Sequence, residues 1–477
     1  MAVPYREGMT LADWSALQDA LDGEVVLPDA PGYDAARRPA IANFADVRPQ
    51  AVVRCASERD AATALAFATA AGLPVAPRSG GHCFAGRSST SEGLVLDVSP
   101  LHAVEYAEGA AVIGAGARLG DVYDALAPHG VTIPAGCGPD VGIAGLTLGG
   151  GLGILGRRHG LTSDALRAAQ VTLPDGRSLT CDEEREPDLF WALRGAGGGR
   201  FGVVTALAFA TVAAPELTGF HLVWPAVAAR ELIAAWQAWS PDGPDDLAAS
   251  LLITAPADPA APVLAHVFGT MIAAEAETRA ELQSLLEVVG GAPEWRFCDT
   301  LPFRATKRRL AEQPPAEEHP GHMTARSEFF RDALPEAAIA ALVAHVAEDR
   351  VAGESRDLDL SPWAGAYTRV PADATAFAHR DARFLLKHGA VAAPGARPAA
   401  ADWVDRSWAL VHPYGTGGAY PNFPEPGLDT WSRRYHVANL ERLLDVKARY
   451  DPDGVLGPSG GSSGTPPDQT SSGAGGG

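Results

Sequence analysis

The first pattern along the chain is a row of apolar residues at helical spacing. Its members are Leu11, Trp14, Leu17 and Leu21. Thr10 and Asp13 stand three residues apart at the start of this row, which is the spacing of a capping box. Because such a pair satisfies the free N–H groups of a first helical turn, we predict a short helix here.

A β-α-β pattern follows. The run AVVRC at 51–55 predicts a strand, Ser57 begins an alanine-rich helix that ends at Gly72, and LPVAP at 73–77 predicts a second strand. The alternation continues with strand-like runs at 94–98, 104–107 and 111–116, a helix at 121–127 and a strand at 131–134. The first third of the chain is therefore predicted to mix short strands and helices.

Beyond residue 165 the same reasoning predicts the end of one domain and the start of another. The closing elements are a hairpin at 168–181 with an Asp-Gly turn, a helix at 186–195 and a strand at 201–212. Amphipathic helices then alternate with strands, the helices at 228–239, 275–289 and 335–349 and the strands at 250–255, 263–273 and 364–371. This second pattern indicates an α+β domain between about 215 and 412.

The C-terminal part contains one more helix and a low-complexity tail. The helix covers 439–450 and is interrupted by the Asp-Pro-Asp-Gly turn at 451–454. Residues 457–477 consist only of Gly, Ser, Thr, Pro, Ala, Asp and Gln. Such a composition buries too little apolar surface to offset the entropy of folding, so we predict that the tail is disordered.

Composition excludes several classes of protein. The 477 residues carry 38 Lys and Arg against 58 Asp and Glu, a formal charge of −20, which disfavours nucleic acid as a partner. We see no signal peptide and no apolar run long enough to span a membrane, so a cytoplasmic location and no membrane association are expected. The five cysteines form no C-x-x-C pair, so neither a disulfide framework nor a metal site is predicted. The oligomeric state is left open.

Glycine-rich segments are the most informative motifs. GLGILG at 151–156 and GGGRFG at 197–202 both spell the dinucleotide fingerprint, but neither connects an incoming strand to an outgoing helix, so we reject a Rossmann site. RSGGHCFAG at 78–86 directly follows a strand, and its N–H groups with the charge of Arg78 suit an anion. The glycine-rich run at 135–164 could hold a pyrophosphate from the other side. Taken alone, each loop could also be a tight structural turn.

Six ordered blocks together resemble the berberine bridge enzyme-like oxidoreductases, a branch of the vanillyl-alcohol-oxidase-type FAD flavoproteins. The blocks are RSGGH (78–82), GIAGLTLGGGLGILGRRHGLTSD (142–164), DLFWALRGAGGGRFGVVT (188–205), RVPADATAFAHR (369–380), GGAYPNF (417–423) and YHVANLERLLDVKARYDPDGVL (435–456). The resemblance implies an α+β, two-domain fold with a split FAD-binding domain and an inserted substrate domain, in which an antiparallel sheet is covered by helices. It assigns 1–212 to a PCMH-type FAD-binding domain, 213–412 to the substrate domain, 413–456 to a returning segment and 457–477 to the tail.

The resemblance also implies which residues hold FAD. His82 would be bonded to the flavin 8α-methyl group, within a pyrophosphate loop formed by Arg78, Ser79, Gly80 and Gly81. The ADP and isoalloxazine would lie along Val141, Gly142, Gly145, Leu148, Gly149, Gly150 and Gly153, with Gly202, Val203 and Val204 on the adenine side. Tyr435 and Asn439 keep two positions of a Tyr-Tyr-Gly-x-Asn motif at the flavin edge but lack its glycine.

A second link to the flavin is left open. Many members of the family bond a cysteine to flavin C6 within the pattern A-G-x-C-x-x-V-G. Here the segment 135–142 places Cys137 one residue early. Two alternatives therefore remain. The flavin is attached through both His82 and Cys137, or through His82 alone.

The expected chemistry is removal of a hydride from a C–OH or C–N carbon of a secondary metabolite or sugar. The family pattern makes Tyr420, with Asn422, the proton acceptor, although a tyrosine pKa near 10 must fall for this role. Tyr367, on the strand predicted at 364–371, is an auxiliary candidate, and ordinary ring packing is the alternative for both tyrosines. The resemblance implies that a small residue at the position of Val141 favours O2 as electron acceptor, hence an oxidase. An oxidative cyclase, a dehydrogenase and a non-catalytic flavin-binding protein are the alternatives.

Overall fold

The computed structural model describes residues 13–311, 321–393 and 397–457. The elements of its first part are α1 (Trp14–Ala20), β1 (Glu24–Val26), α2 (Tyr33–Arg37), β2 (Ala51–Arg54), α3 (Glu58–Ala70), β3 (Val75–Arg78), β4 (Leu94–Asp97), β5 (Val104–Ala107), β6 (Ala110–Gly114), α4 (Leu119–Leu126), β7 (Val131–Thr132), α5 (Ile143–Leu148), α6 (Gly156–His159), β8 (Leu166–Thr172), β9 (Ser178–Cys181), α7 (Pro187–Leu193), β10 (Val203–Ala210) and β11 (Val212–Ala213).

The remaining elements alternate long strands with helices. They are β12 (Glu216–Pro225), α8 (Ala229–Trp239), β13 (Leu247–Ala255), β14 (Leu264–Met271), α9 (Glu275–Val289), β15 (Glu294–Pro302), α10 (Phe303–Ala311), β16 (His322–Phe330), α11 (Glu336–Ala347), β17 (Glu354–Pro362), α12 (Ala366–Arg369), β18 (Phe384–Ala392), α13 (Arg397–Val411), α14 (Arg433–His436) and α15 (Leu440–Tyr450). The predicted tail at 457–477 lies outside the described residues, apart from Gly457.

The first helix forms one turn later than its apolar row suggested. α1 begins at Trp14, and the carboxylate of Asp13 accepts a hydrogen bond from the N–H of Ala16 at 3.0 Å. Asp13 is therefore itself the N-cap, which is a common role for aspartate. Thr10 and Leu11, the other half of the predicted capping box and the first apolar position, lie outside the described residues.

The strand predicted at 364–371 is wrong. β17 ends at Pro362, and Gly365 then adopts a φ of 77°, which turns the chain out of the strand direction. The next residues form the short helix α12, with the N–H of Thr368 bonded to the Gly365 carbonyl at 3.1 Å. Tyr367 is therefore on a helical turn, and its ring is buried in an apolar cluster with Trp363 and Phe329.

Two sheets and one shared core form the first part of the fold. One sheet has the order β1-β2-β4-β3, in which β2, β4 and β3 run parallel, and the other has the antiparallel order β5-β6-β10-β8-β9. Strand residues such as Val53, Leu96 and Leu207 are buried in the same apolar cluster as Leu65 of α3. The loop at 79–86 begins at the end of β3, and this core fixes the position of that strand end.

The end of the chain returns to this first core. The N–H of Val75 in β3 donates to the carbonyl of Val455 at 2.9 Å, and Val75 forms a parallel bridge with Leu456. Leu443 and Val446 of α15 are buried in the same apolar cluster. Packing thus joins the two ends of the chain across the middle segment, while the predicted domain boundaries stay predictions.

The middle of the chain forms a seven-stranded antiparallel sheet with the order β15-β12-β14-β13-β17-β18-β16. Because side chains alternate between the faces of a strand, each strand presents one apolar row to the covering helices. Leu251, Leu358 and Leu386 lie in this row and share a cluster with Trp236 of α8 and Trp403 of α13. The predicted antiparallel sheet covered by helices is confirmed.

Within 13–311, 321–393 and 397–457, no helix combines the length and the apolar character that a bilayer crossing requires.

The return of the chain depends on one buried carboxylate, and this yields a prediction. Asp451 accepts the N–H groups of Val455 and Leu456, each at 2.9 Å, and forms an ion pair with Lys447. Asp451→Asn removes the charge, so we expect a loss of about 3 kcal/mol of stability, the usual scale for breaking a buried pair. The measurement is the Tm, which should fall by several degrees. The exposed Asp453→Asn is the control, and equal Tm values for the two variants would contradict the interpretation.

Candidate active site

The two glycine loops predicted to face each other are in contact. A Cβ atom on Gly80 would lie 2.4 Å from the backbone nitrogen of Gly142, and one on Gly142 would lie 2.2 Å from Ser79 Oγ. Gly81 follows with a φ of 73°, a backbone conformation that favours glycine. The loops can therefore approach each other this closely only with glycine at positions 80 and 142.

His82 extends this contact by a side chain. Its imidazole forms a hydrogen bond with the backbone of Asp140, in the opposite loop, and the residue is half-buried. Burial lowers the pKa of His82 below its ordinary value of 6.5, so the neutral ring predominates at pH 7. A neutral imidazole has a free lone pair, which is the form that can act as a nucleophile.

The guanidinium group of Arg78, which was expected to face an anion, is engaged within the protein. Its guanidinium pairs with Asp97 at 3.0 Å and donates to the carbonyl of Arg37 at 2.9 Å, and only 5% of the residue is exposed. The expected free positive charge is therefore neutralised inside the protein. Arg78 instead fixes the end of β3, and the N–H groups of the following residues remain for an anion.

A groove with a backbone floor lies beside the contact of the loops. Gly145, on α5, is exposed, and a Cβ atom added to it would meet no protein atom within 4 Å. A Cβ atom on Gly198, from the second glycine motif, would lie 3.9 Å from the Cα of Gly145 and 3.7 Å from Leu148 Cδ1. Peptide groups without side chains leave room for a flat ligand to approach, so these residues fit a dinucleotide such as FAD.

Tyr420 lies at the far end of the glycine-rich run. Its hydroxyl oxygen accepts the N–H of Gly151 at 3.0 Å and the side-chain amide of Asn422 at 3.2 Å. Asn422 is itself held by the carbonyl of Leu146 at 2.9 Å. Burial raises the pKa of Tyr420 to about 12, while the donors Asn422, Gly151 and Leu152 act in the opposite direction because they stabilise the phenolate.

Tyr367 reaches the same backbone from the other side. Its hydroxyl accepts the N–H of Gly153 at 3.2 Å and lies 3.1 Å from the carbonyl oxygen of the same residue. Its ring stacks on Trp363, with centroids 4.8 Å apart, and burial raises its pKa. Gly156 accommodates this ring, since a Cβ atom there would overlap the Tyr367 hydroxyl. The structure thus brings both predicted tyrosines to residues 151–153.

Other predicted cofactor residues have their groups engaged within the protein. Gly202 is packed against Val171, and Val203 and Val204 are buried strand residues of β10. The hydroxyl of Tyr435 accepts the N–H of Glu425 at 2.8 Å, and the Asn439 amide donates to the carbonyls of Ala372 and Thr375 at 2.8 and 3.1 Å. A role of these five residues toward FAD remains a prediction. Val141, Gly149, Gly150 and Gly153 lie on the loop itself, half-buried or buried.

A charged row on the uncovered face of the large sheet was not predicted. Lys387 Nζ lies 3.4 Å from Asp357 Oδ1 and 3.5 Å from Asp359 Oδ2, and 5.7 Å from the centre of the Phe423 ring. These two carboxylates raise the pKa of Lys387. The alternation of polar residues in DLDLS at 357–361 is the sequence signal that could have indicated this row.

The row leads directly to Tyr420. Ser327 of β16 is the cross-strand partner of Lys387, and Lys387 is the partner of Asp359 in β17. The Ser327 hydroxyl accepts the N–H of Tyr420 at 3.0 Å. Polar side chains of three adjacent strands therefore run up to the tyrosine.

Lys307 is a second residue that sequence reasoning missed. It enters from α10 and is only 2% exposed, with its ammonium group 3.7 Å from Cys137 Sγ. No motif marks it, because α10 is a short polar helix. Among the described residues, no group of three or more His, Cys, Asp or Glu side chains could hold a metal ion.

Comparison with known families and proteins agrees with this geometry. A family model described as an FAD binding domain matches residues 49–182, and one described as berberine and berberine like matches residues 419–457. The chain is 32% identical to an uncharacterised FAD-linked oxidoreductase of Bacillus subtilis, YgaK, over 91% of this chain and 96% of that protein. It is 30% identical to a chitooligosaccharide oxidase of Gibberella zeae, over 81% of each chain.

A solved structure extends the agreement to the fold. The glucooligosaccharide oxidase of Acremonium strictum superposes with a TM-score of 0.83 at 25% identity, over 93% of this chain and 98% of that one. That protein carries a 6-S-cysteinyl, 8α-N1-histidyl FAD.

Gly145 offers a test of the groove. Gly145→Ala adds a methyl group where no protein atom lies within 4 Å, so the fold should be unaffected while FAD loses room. We expect an unchanged Tm of the polypeptide and a lower ratio of flavin to protein absorbance. Gly80→Ala is the contrasting variant, because its Cβ would overlap Gly142 and destabilise the protein itself. Full flavin content in Gly145→Ala would show that FAD does not occupy this groove.

Proposed function

The chain belongs to the berberine bridge enzyme-like family of FAD-linked oxidoreductases, and from this premise we propose that it is an oxidase of a hydroxylated small molecule. It removes a hydride from a C–OH carbon and passes the electrons to O2, which becomes H2O2. The observation that carries the proposal is Tyr420, whose oxygen is held by Gly151 and Asn422 beside the glycine-lined groove.

FAD is the cofactor, and when bound it supplies the hydride acceptor and the site at which O2 is reduced. His82 is the residue placed to tether it, because its ring is neutral at pH 7 and stands at the contact of the two loops. The backbone of residues 79–82 holds the pyrophosphate, and Gly145 leaves space for the adjoining part of the cofactor. These assignments are supported by the fit of the residues to such a ligand.

Tyr420 is the proposed proton acceptor for the substrate hydroxyl. N–H donors converge on its oxygen from Gly151, Leu152 and Asn422, and such an arrangement stabilises negative charge there. Burial disfavours ionisation and outweighs the effect of these donors, since the pKa of Tyr420 is raised to about 12. The reaction should therefore become faster as the pH rises, because a larger fraction of Tyr420 is then the phenolate.

The substrate side of the site suits a molecule with several hydroxyl groups. Lys387 donates hydrogen bonds, while Asp357 and Asp359 accept them, and all three lie on the sheet face next to Ser327 and the Tyr420 backbone. Sugars present hydroxyls of both kinds at short spacing. The names of the two oligosaccharide oxidases support this class, and hydroxylated secondary metabolites share the same chemistry.

O2 as acceptor is supported by Val141. The side chain is small and half-buried, and the backbone around it is fixed because its carbonyl accepts the N–H of Leu119 at 3.0 Å. A small residue here leaves room for O2 beside the groove. A dehydrogenase would instead be recognised by slow reoxidation in air after anaerobic reduction by substrate.

Tyr420→Phe tests the proton acceptor. In anaerobic rapid mixing with a panel of oligosaccharides and hydroxylated metabolites, we expect flavin reduction to slow by about 10²–10⁴-fold, the usual contribution of a general base. In the native protein the logarithm of the rate should rise with pH toward about 12, and this slope should vanish in the variant. Tyr33→Phe, which removes another buried hydroxyl outside the site, is the control. An unchanged rate in Tyr420→Phe would remove the residue as the base.

The tether has its own measurement. Protein that is denatured and washed should stay yellow, and peptide masses should place FAD on a fragment containing residues 78–87. In His82→Ala the peptide containing residues 78–87 should carry no FAD mass. Release of all flavin from the denatured native protein would exclude a covalent bond at His82 while leaving the proposed reaction untouched.

A further inference from the structure

A buried ammonium group contacts the loop that carries Cys137. Lys307 Nζ donates to the carbonyl oxygens of Ala135 and Gly136, both at 2.8 Å, and lies 3.3 Å from the hydroxyl of Tyr123. The thiol of Cys137 completes this shell, with Sγ 3.7 Å from Nζ. Three consecutive loop residues are therefore oriented toward one cation that comes from another part of the chain.

The charge of Lys307 has no carboxylate next to it among the groups that act on it in the described part of the chain. Burial lowers its pKa, Arg304 acts in the same direction, and Cys137 is the group that favours the ammonium form. Burying an unpaired cation is costly unless an anion neutralises it. Of its close neighbours, the Tyr123 hydroxyl and the Cys137 thiol carry an acidic proton, and burial raises the pKa of the Tyr123 hydroxyl.

Cys137 also acts electrostatically on Tyr367. Its sulfur is close enough to Tyr367 to raise the pKa of that hydroxyl, which itself bonds to Gly153. Cys137 is half-buried, so the thiol is neither sealed in the core nor free in solvent. The sulfur therefore contacts Lys307 and also acts on the tyrosine that is bonded to Gly153.

We propose that Lys307 takes the proton of the Cys137 thiol and holds the thiolate for a second covalent bond, between Cys137 Sγ and the flavin ring. The proposal rests on the function proposed above, since it requires FAD in the groove. In the net reaction the S–H bond and one ring C–H bond break, an S–C bond forms, and O2 takes the two electrons and two protons as H2O2. Lys307 is thus a positioning residue that acts through Cys137.

The same contact explains how Cys137 can bond to the flavin although it stands one residue earlier than the cysteine of the family pattern. The direction of the thiol depends on the backbone of residues 135–137, and Lys307 fixes that backbone through two carbonyl groups. The loop is therefore shaped by a residue 170 positions away in sequence. Its local sequence alone leaves the thiol direction undetermined.

Three variants of the holoenzyme separate charge from packing. Lys307→Gln keeps a hydrogen-bond donor without charge, and Lys307→Arg keeps both. Tyr123→Phe removes a different hydrogen bond to the same loop, from the Tyr123 hydroxyl to the Gly136 carbonyl at 2.6 Å. The measurement is the share of FAD-bearing peptide that contains Cys137 relative to peptide that contains His82, with Tm as a check of folding.

We expect both peptides in the native protein, and at least a tenfold loss of the Cys137-linked share in Lys307→Gln with the His82 link retained. Lys307→Arg and Tyr123→Phe should keep the Cys137 link. Incubating aerated Lys307→Gln about one unit above the ordinary thiol pKa of about 8.5 should restore it, because the thiol then ionises without help. A purely structural role of Lys307 would show no such recovery with pH.

Two results would overturn the proposal. One is a Cys137 link in Lys307→Gln at the native level and neutral pH. The other is a native protein whose FAD is attached at His82 alone, which would leave the proposed oxidase function standing. Absence of bound flavin altogether would instead contradict the proposed function, so the two failures are distinguishable.

Discussion

The contact between Gly80 and Gly142 is the constraint on which the site depends. Any side chain at either position would overlap backbone or Ser79, so the two loops meet only as peptide against peptide. This contact joins the end of β3, fixed by the Arg78–Asp97 pair, to the segment that leads into α5. As a result His82, Cys137 and the open groove at Gly145 all lie within one small region.

Tyr420 connects that region to the large sheet. Its backbone N–H is bound by Ser327 in β16, and its hydroxyl is bound by Gly151 in the glycine-rich run. The ring of Phe423, the residue after Asn422, stacks on Phe84 of the first loop, with ring centroids 5.7 Å apart. One short segment therefore contacts both glycine loops and the large sheet.

Burial sets the electrostatics of the site in a consistent way. It favours the neutral form of His82, raises the pKa of Tyr420 to about 12 and lowers the pKa of Lys307. Specific neighbours oppose two of these pKa shifts: the N–H donors around Tyr420 and the Cys137 thiol beside Lys307. Low solvent access strengthens these few contacts, so small local changes are expected to alter reactivity more than stability.

The sequence by itself determined the local elements, the two loops at 78–86 and 135–164 and the family, because periodicity, caps and glycine spacing are properties of neighbouring residues. Tertiary structure decided which partner each charged or polar side chain contacts, because these partners lie far away in the sequence. Arg78 is neutralised by Asp97, Tyr367 lies on a turn set by Gly365, and Lys387 is placed by cross-strand register. Lys307 reaches Cys137 from 170 residues away, a contact that no local pattern contains, because only packing of α10 against the loop creates it.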